Sequence, residues 1–294
     1  MNLARRLLAA ALLCLAPPAL AAPEVLASIP PLQFIAAEVM QGLALPGVLL
    51  SGRESPHDYA LKPSDARRLR GAGIVLWVGP ELEHGLERPL RQLRADQVLT
   101  AMRLPSVRLH ALTAGLEAAP VTGAHDPHLW LDPQNAAAIA TALAERLGRL
   151  DAVHAARYTA NAAHFGARLE ALTKILGQRL APLRDQPYLV WHGAYGYFSR
   201  RFGFVDGTAL SDHPESGLSA RRVSQLRARI RQEGIACVFT EPQFSATAVR
   251  GLTEGTAARV AELDPLGVAL TAAPGAYERL LENLATAFEG CLRR

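Results

Sequence analysis

The chain has 294 residues but only three cysteines, Cys14, Cys237 and Cys291, and no CxxC pair. A thiolate metal site needs more sulfur ligands than these can offer. No HExxH helix is present either, so the sequence carries no zinc-hydrolase signature. Aromatic residues make up 6% and the net charge is a modest +4. No basic run is interleaved with aromatics, which excludes nucleic acid as a partner. Beyond the first residues no stretch is apolar enough to cross a membrane, and no internal repeat or low-complexity tract occurs. What is abundant is hydrophobic residue, 50% of the chain, enough for a globular protein with substantial cores.

The beginning of the chain reads as an address. Arg5 and Arg6 form a positive n-region, residues 7–15 an apolar run, and Ala19-Leu20-Ala21 a small-x-small cleavage site. The expectation is a signal peptide over 1–22, cleaved after Ala21 or Ala22, and a periplasmic product. Pro17 and Pro18 interrupt the run, which is shorter than the roughly 20 apolar residues of a membrane span. A lipoprotein reading would use Cys14, but Leu13 stands where a small residue is required. Export brings Cys237 and Cys291 into an oxidising compartment, where two cysteines usually pair. Two buried free thiols are the alternative. A bridge would close a loop of some fifty residues, giving about 4 kcal/mol.

Residues 25–29 read as a strand, followed by a helix after Pro30-Pro31. The short apolar run 48–50 comes next, then a helix over 62–71 with Ser64-Asp65 as its cap and Gly71 as its stop. Residues 74–78 form a continuous apolar run, the pattern of a strand buried on both faces. From Asp151, read as an N-cap, Tyr158, Ala162, Phe165, Leu169, Leu172, Ile175, Leu176 and Leu180 recur at helical spacing. One helix of about 30 residues would extend roughly 45 Å. Strands at 188–191, 236–240 and 259–263 and helices at 219–233 and 277–292 follow. The fold class is therefore α/β, with two lobes that each hold a mostly parallel sheet flanked by helices, joined by one long backbone helix. The expected division is an N-terminal lobe at 23–150, a connecting helix at 151–184 and a C-terminal lobe at 185–294.

Nine histidines are present. His84, His110, His154 and His164 lie in ordinary helix or strand surroundings and read as surface or structural residues. His57, His128 and His192 differ, each lying just past an apolar strand-like run or beside a Trp and Pro turn. Asp264 directly follows the strand ending at Leu263. In open α/β sheets ligands bind at the carboxyl ends of strands. Imidazoles and a carboxylate suit a borderline cation such as tetrahedral zinc. Scattered over two hundred residues, these positions form no motif by spacing.

The local blocks do form one. Pro56-His57-Asp58-Tyr59 runs on to Lys62-Pro63-Ser64-Asp65. His128-Leu129-Trp130-Leu131-Asp132-Pro133, His192-Gly193-Ala194-Tyr195-Gly196-Tyr197-Phe198, Glu241-Pro242-Gln243-Phe244 and Asp264-Pro265-Leu266-Gly267 follow in order. This series resembles the zinc-binding solute receptors of ABC importers, the ZnuA type, from about residue 24 to the C-terminus. The resemblance implies His57, His128 and His192 as metal ligands. The fourth position varies in that family: a carboxylate of the DPLG block, a glutamate just before the first histidine, or water. Pro56 fills the glutamate's place, although Glu54 is close, so Asp264 is the expected fourth ligand. The resemblance also implies a Cys237–Cys291 disulfide. Many such receptors carry a long His- and acid-rich loop before the second ligand. Here residues 112–126 are short, offering His125 with His110 just upstream, and His213 sits in a turn near the expected cleft.

The implied function is high-affinity capture of Zn2+ in the periplasm and delivery to the permease of an ABC importer, by a monomer that is not an enzyme. Protons would compete for the imidazoles as pH falls toward and below about 6.5. Three histidines argue against a manganese or iron receptor, whose harder cargo favours more oxygen ligands. A secreted zinc hydrolase would need an open coordination position and a base, for which only Glu215 or Glu241 could be nominated. An adhesin or lipid-anchored receptor is the third reading, and it would require lipid on Cys14.

Overall fold

The computed structural model describes residues 22–112, 124–205, 207–211, 219–244 and 246–293. Residues 1–21, expected to be a leader, most of the segment before His125, and His213 and Glu215 lie outside them.

The first lobe runs β1 (Val25–Ala27), α1 (Pro30–Val39), β2 (Gly47–Val48), α2 (Pro63–Gly71), β3 (Ile74–Trp77), α3 (His84–Leu90) and β4 (Val98–Thr100). All its strand pairs are parallel, in the order β2-β1-β3-β4. After the connecting helices the pattern repeats. β5 (Tyr188–Val190), α6 (Gly196–Phe202), β6 (Thr208–Ala209), α7 (Ala220–Gln232), β7 (Cys237–Thr240), α8 (Ala246–Thr253) and β8 (Arg259–Glu262) form a second parallel sheet, ordered β6-β5-β7-β8. The closing helix α9 (Ala276–Leu292) follows. The central strands β1, β3, β5 and β7 are buried along their whole length, as their unbroken apolar runs require.

Local chemistry sets the helix starts. Pro30 and Pro31 open α1, where no N–H needs an acceptor. Pro63 does the same for α2, so that helix begins after Lys62 and not at the Ser64-Asp65 cap expected from sequence. Asp65 instead accepts a hydrogen bond from Tyr59 Oη at 2.5 Å. Ser219 caps α7 by accepting from the Arg222 backbone N–H.

The long stretch from residue 133 is two helices, α4 (Pro133–Leu150) and α5 (Ala155–Leu180). Asp151 closes α4 instead of opening the next helix. Its carboxylate accepts from Tyr158 Oη at 2.9 Å and lies 2.7 Å from His154 Nδ1. With 26 residues, α5 extends ~39 Å. It gives way to a 3-10 turn, Ala181–Leu183, in which Pro182 has no N–H to continue the ladder. The buried stripe on α5 is the predicted one except for Ile175, which is 54% exposed, one position off the line from Leu172 to Leu176.

One hydrophobic core runs through both lobes, with side chains of α1, α4, α5 and α9 in contact. Arg168 on α5 bridges Glu38 on α1 and Glu278 on α9, so the long helix is also tied by charge to an element of each lobe. Cys237 at the start of β7 and Cys291 on α9 form a disulfide, pinning the closing helix to the second sheet.

Candidate metal centre

In each sheet the chain leaves the first strand toward one side and later returns on the other. The crevice beyond the carboxyl ends of β5 and β7 is therefore a switch point of the second sheet. Val190 pairs with Phe239, so His192 and Glu241 each lie two residues past matched positions. Glu241 Oε1 is 2.7 Å from His192 Nδ1. A carboxylate there holds the ring as the Nδ1–H tautomer and turns Nε2 toward His128.

His128 comes from the first lobe, immediately before the 3-10 turn Leu129–Leu131 that leads into α4. Asp126 Oδ1 accepts from the His128 backbone N–H at 3.0 Å and lies 2.8 Å from its Nδ1. Both side chains are buried. The segment is fastened across the lobes. Trp130 Nε1 donates to Pro265 O at 2.8 Å, Tyr277 Oη donates to Trp130 O at 2.6 Å, and Arg201 grips Asp132 through two nitrogens. The His128 and His192 Nε2 atoms consequently lie 3.3 Å apart.

His57 completes the cluster from the 3-10 turn Pro56–Asp58. Its ring centroid is 5.4 Å from that of His128 and 6.0 Å from that of His192. One ligand atom from each of the three histidines lies within 4.8 Å of the others. Among the described residues no other group of histidines, cysteines or carboxylates comes together in this way. Burial, with the neighbouring His128, His192 and His84 rings, pushes the His57 pKa down to about 2. Burial thus favours the neutral imidazole, the form that can offer a lone pair to a cation. The cavity lined by the three rings with Trp130, Glu241 and Gln243 measures about 20 Å³, room for an ion and its water but not for an organic ligand.

Asp264 lies two residues past β8 and does not join that cluster. Its Oδ1 accepts from the backbone N–H groups of Leu266 and Gly267, and its Oδ2 from that of Val268, at 3.2, 2.8 and 2.7 Å. Burial raises its pKa, against these three amides, and the charge of Glu241 adds to the rise. The side chain shapes the turn that carries Pro265 toward Trp130.

His110, His125 and His154 are engaged elsewhere. His125 is exposed beside its bridge to Ala111. His110 packs its ring on Tyr197, and His154 is engaged with Asp151. Glu241, one of the two bases nominated for a hydrolase, is committed to His192. Sequence reading passed over Asp126, although an acid two residues before a ligand histidine was the available signal.

The arrangement is a nitrogen-rich nest for one cation, and the similarity of the chain to known proteins agrees with it. The family model ZnuA, described as zinc-uptake complex component A, periplasmic, matches residues 25–291. The chain belongs to the ZnuA family. It is 35% identical to the high-affinity zinc uptake system protein ZnuA of Brucella suis biovar 1, over 92% of each chain. Identity to the protein of the same name from Yersinia pestis is 34%, over 99% of this chain and 98% of that one. Among solved structures it resembles a zinc-bound deletion mutant of ZnuA, with a TM-score of 0.75 and 27% identity over 93% of this chain and 99% of that chain. ZnuA proteins are transport receptors, and the two lobes joined by a long helix are their fold.

Proposed function

We propose that this ZnuA-family chain captures Zn2+ in the periplasm with high affinity and delivers it to the permease of an ABC importer. The observation that carries the proposal is the meeting of the His57, His128 and His192 nitrogens within one small cavity. Three imidazole ligands favour a borderline cation over the harder manganese, which prefers oxygen. The relatives described above are zinc uptake proteins, which supports the same cargo.

Of the expected ligands, the three histidines are assigned to the metal. Asp264 is the sequence-based candidate for the fourth position, but three of its carboxylate lone pairs already accept backbone N–H groups of its own turn, and it lies outside the cluster of the three histidines. A solvent oxygen leaves the turn undisturbed, and we assign the fourth position to it. Delivery follows a leader over 1–22 removed after Ala21 or Ala22, a first lobe to residue 150, a connecting stretch to 184 and a second lobe to the end. The permease is the expected macromolecular partner, with the receptor acting as a monomer.

Competition titration against a chromophoric zinc chelator tests the reading. His57→Ala, His128→Ala and His192→Ala should each weaken zinc binding by orders of magnitude. Asp264→Ala should leave it within about threefold, whereas loss of a true ligand costs far more. Three histidine variants that bind like wild type would end the proposal, and an Asp264→Ala variant as weak as they are would restore Asp264 as the fourth ligand.

A further inference from the structure

The three histidines are not held alike. His128 and His192 each have a carboxylate on Nδ1, and the segment around His128 is bonded across to the second lobe at Pro265, Tyr277 and Arg201. The His57 ring has no hydrogen-bond partner among the described residues, and it rides on a three-residue turn instead of a helix or strand. Two ligands are thus built into a frame that joins the lobes, and the third is brought to them on an arm, residues 51–58.

One described hydrogen bond fastens that arm across the cleft. Gln243, two residues past Glu241 in the second lobe, donates from Nε2 to Gly52 O at 2.6 Å, a contact spanning 191 residues of sequence. Gln243 also lines the cavity beside His57. Its amide Oε1 is buried with no partner, so the Gly52 bond orients the group. Gly52 is a made-to-fit receiver. Its φ is +84°, and a Cβ there would lie 3.1 Å from Pro30 and 3.4 Å and 3.5 Å from Val268 and Leu266, next to the Asp264 turn. The positive φ favours glycine, the tight contact with Pro30 adds to the demand, and this conformation goes with a carbonyl that accepts from Gln243.

We infer that Gln243 is a positioning residue for metal capture: by holding Gly52 it sets the place of His57, and it governs how fast zinc leaves through that ligand. The inference rests on the assignment of the three histidines as ligands. In it His57 is the last ligand to engage and the first to let go, while His128 and His192 stay in place.

The test is a double-mutant cycle on the full receptor with zinc alone as probe. Gln243→Met keeps the bulk of the side chain and removes the N–H donor. Zinc dissociation is followed by stopped flow against excess chelator, and affinity by competition. Gln243→Met should speed dissociation by about tenfold, the usual scale for losing a partner that positions a ligand. The same change in a His57→Ala background should add nothing further to the loss of affinity, because the ligand it positions is gone. Gly52→Ala pushes the arm from its other side and should reproduce the pattern, and the melting temperature of each zinc-free variant monitors the fold. Dissociation at the wild-type rate in Gln243→Met, or an equal loss with and without His57, would overturn the inference. If His57→Ala alone binds zinc like wild type, the three-histidine assignment falls, and the inference falls with it.

Discussion

Cutting the Asp126 side chain back to Ala is the most incisive test of how the imidazoles are prepared for the metal. Asp126 holds His128 twice, through its backbone N–H and its Nδ1. Its own main chain is anchored independently, since its N–H donates to His110 O and its carbonyl accepts from Tyr197 Oη. Asp126→Ala should therefore keep the loop path and remove the device that fixes the His128 tautomer. A freed neutral imidazole can place its proton on Nε2, the nitrogen that faces His192, and a protonated Nε2 cannot ligate. Removing such a partner typically costs 10–100-fold in metal affinity, or about 1.4–2.7 kcal/mol. Asp126→Asn keeps a carbonyl oxygen that can accept from Nδ1 and should retain most of the affinity. The assay is chelator competition at fixed pH, with zinc-free melting curves of both variants alongside. An Asp126→Ala protein that melts like wild type yet binds zinc within threefold of it would refute the tautomer argument.

Two further outcomes test the scaffold. Replacing Cys237 and Cys291 together by Ala frees a loop of sequence separation 54. It should cost about 4 kcal/mol in denaturant unfolding, with zinc affinity nearly unchanged because neither sulfur touches the centre. Glu83 is fully buried, accepts from Ser28 Oγ and from the backbone N–H of Gly79, and is raised by burial from 4.5 to about 7. The native state then keeps a proton that the unfolded chain releases above pH 4.5. This contribution to stability is fully present below pH 4.5, declines as pH rises, and is gone above about 7. It amounts to ~3 kcal/mol between those limits. Glu83→Gln carries the neutral form permanently and should flatten this part of the stability–pH curve. Unchanged curvature in the variant would assign the pH dependence to other groups.

The two lobes were legible because their central strands are continuous apolar runs, and such runs are buried on both faces wherever they occur. Helix boundaries were less legible where a residue had two uses. Asp151 is a good N-cap by type, yet it ends α4 and spends its carboxylate on Tyr158 and His154, a choice set by the packing of α4 against α5. Ser64-Asp65 looked like a cap, but Pro63 already supplied the helix start and Asp65 was taken by Tyr59. Strands of two or three residues, such as β4 and β6, carry too little pattern to be seen without their neighbours. Of the site, the three histidines were readable from their blocks. The part Asp264 plays in its turn was not, since a carboxylate after a strand is equally suited to binding a metal or gathering backbone amides. The bonds to Leu266, Gly267 and Val268 become visible only once the chain is folded.

The repeated topology explains why, among the described residues, a single centre forms where two equivalent crevices exist. Ser28 follows β1 and Gly79 follows β3, as His192 follows β5 and Glu241 follows β7. In the first lobe that crevice is closed by Glu83, which reaches back from the start of α3 to Ser28 and to the amides past β3. A buried acid satisfied by a hydroxyl and two amides leaves no lone pair directed at the cleft, so this switch point serves the fold alone. In the second lobe the acid comes from the strand end itself and is paired with an imidazole, which turns the same crevice outward. The first lobe then contributes by other routes, His128 ahead of α4 and His57 on the arm held at Gly52. A site assembled this way needs the lobes fixed to each other to within a fraction of an ångström, because its ligands share no element. The continuous core through α1, α4, α5 and α9, and the Arg168 bridge between Glu38 and Glu278, supply that rigidity. Movement sufficient to release a cation is accordingly concentrated in the one ligand that the frame does not hold.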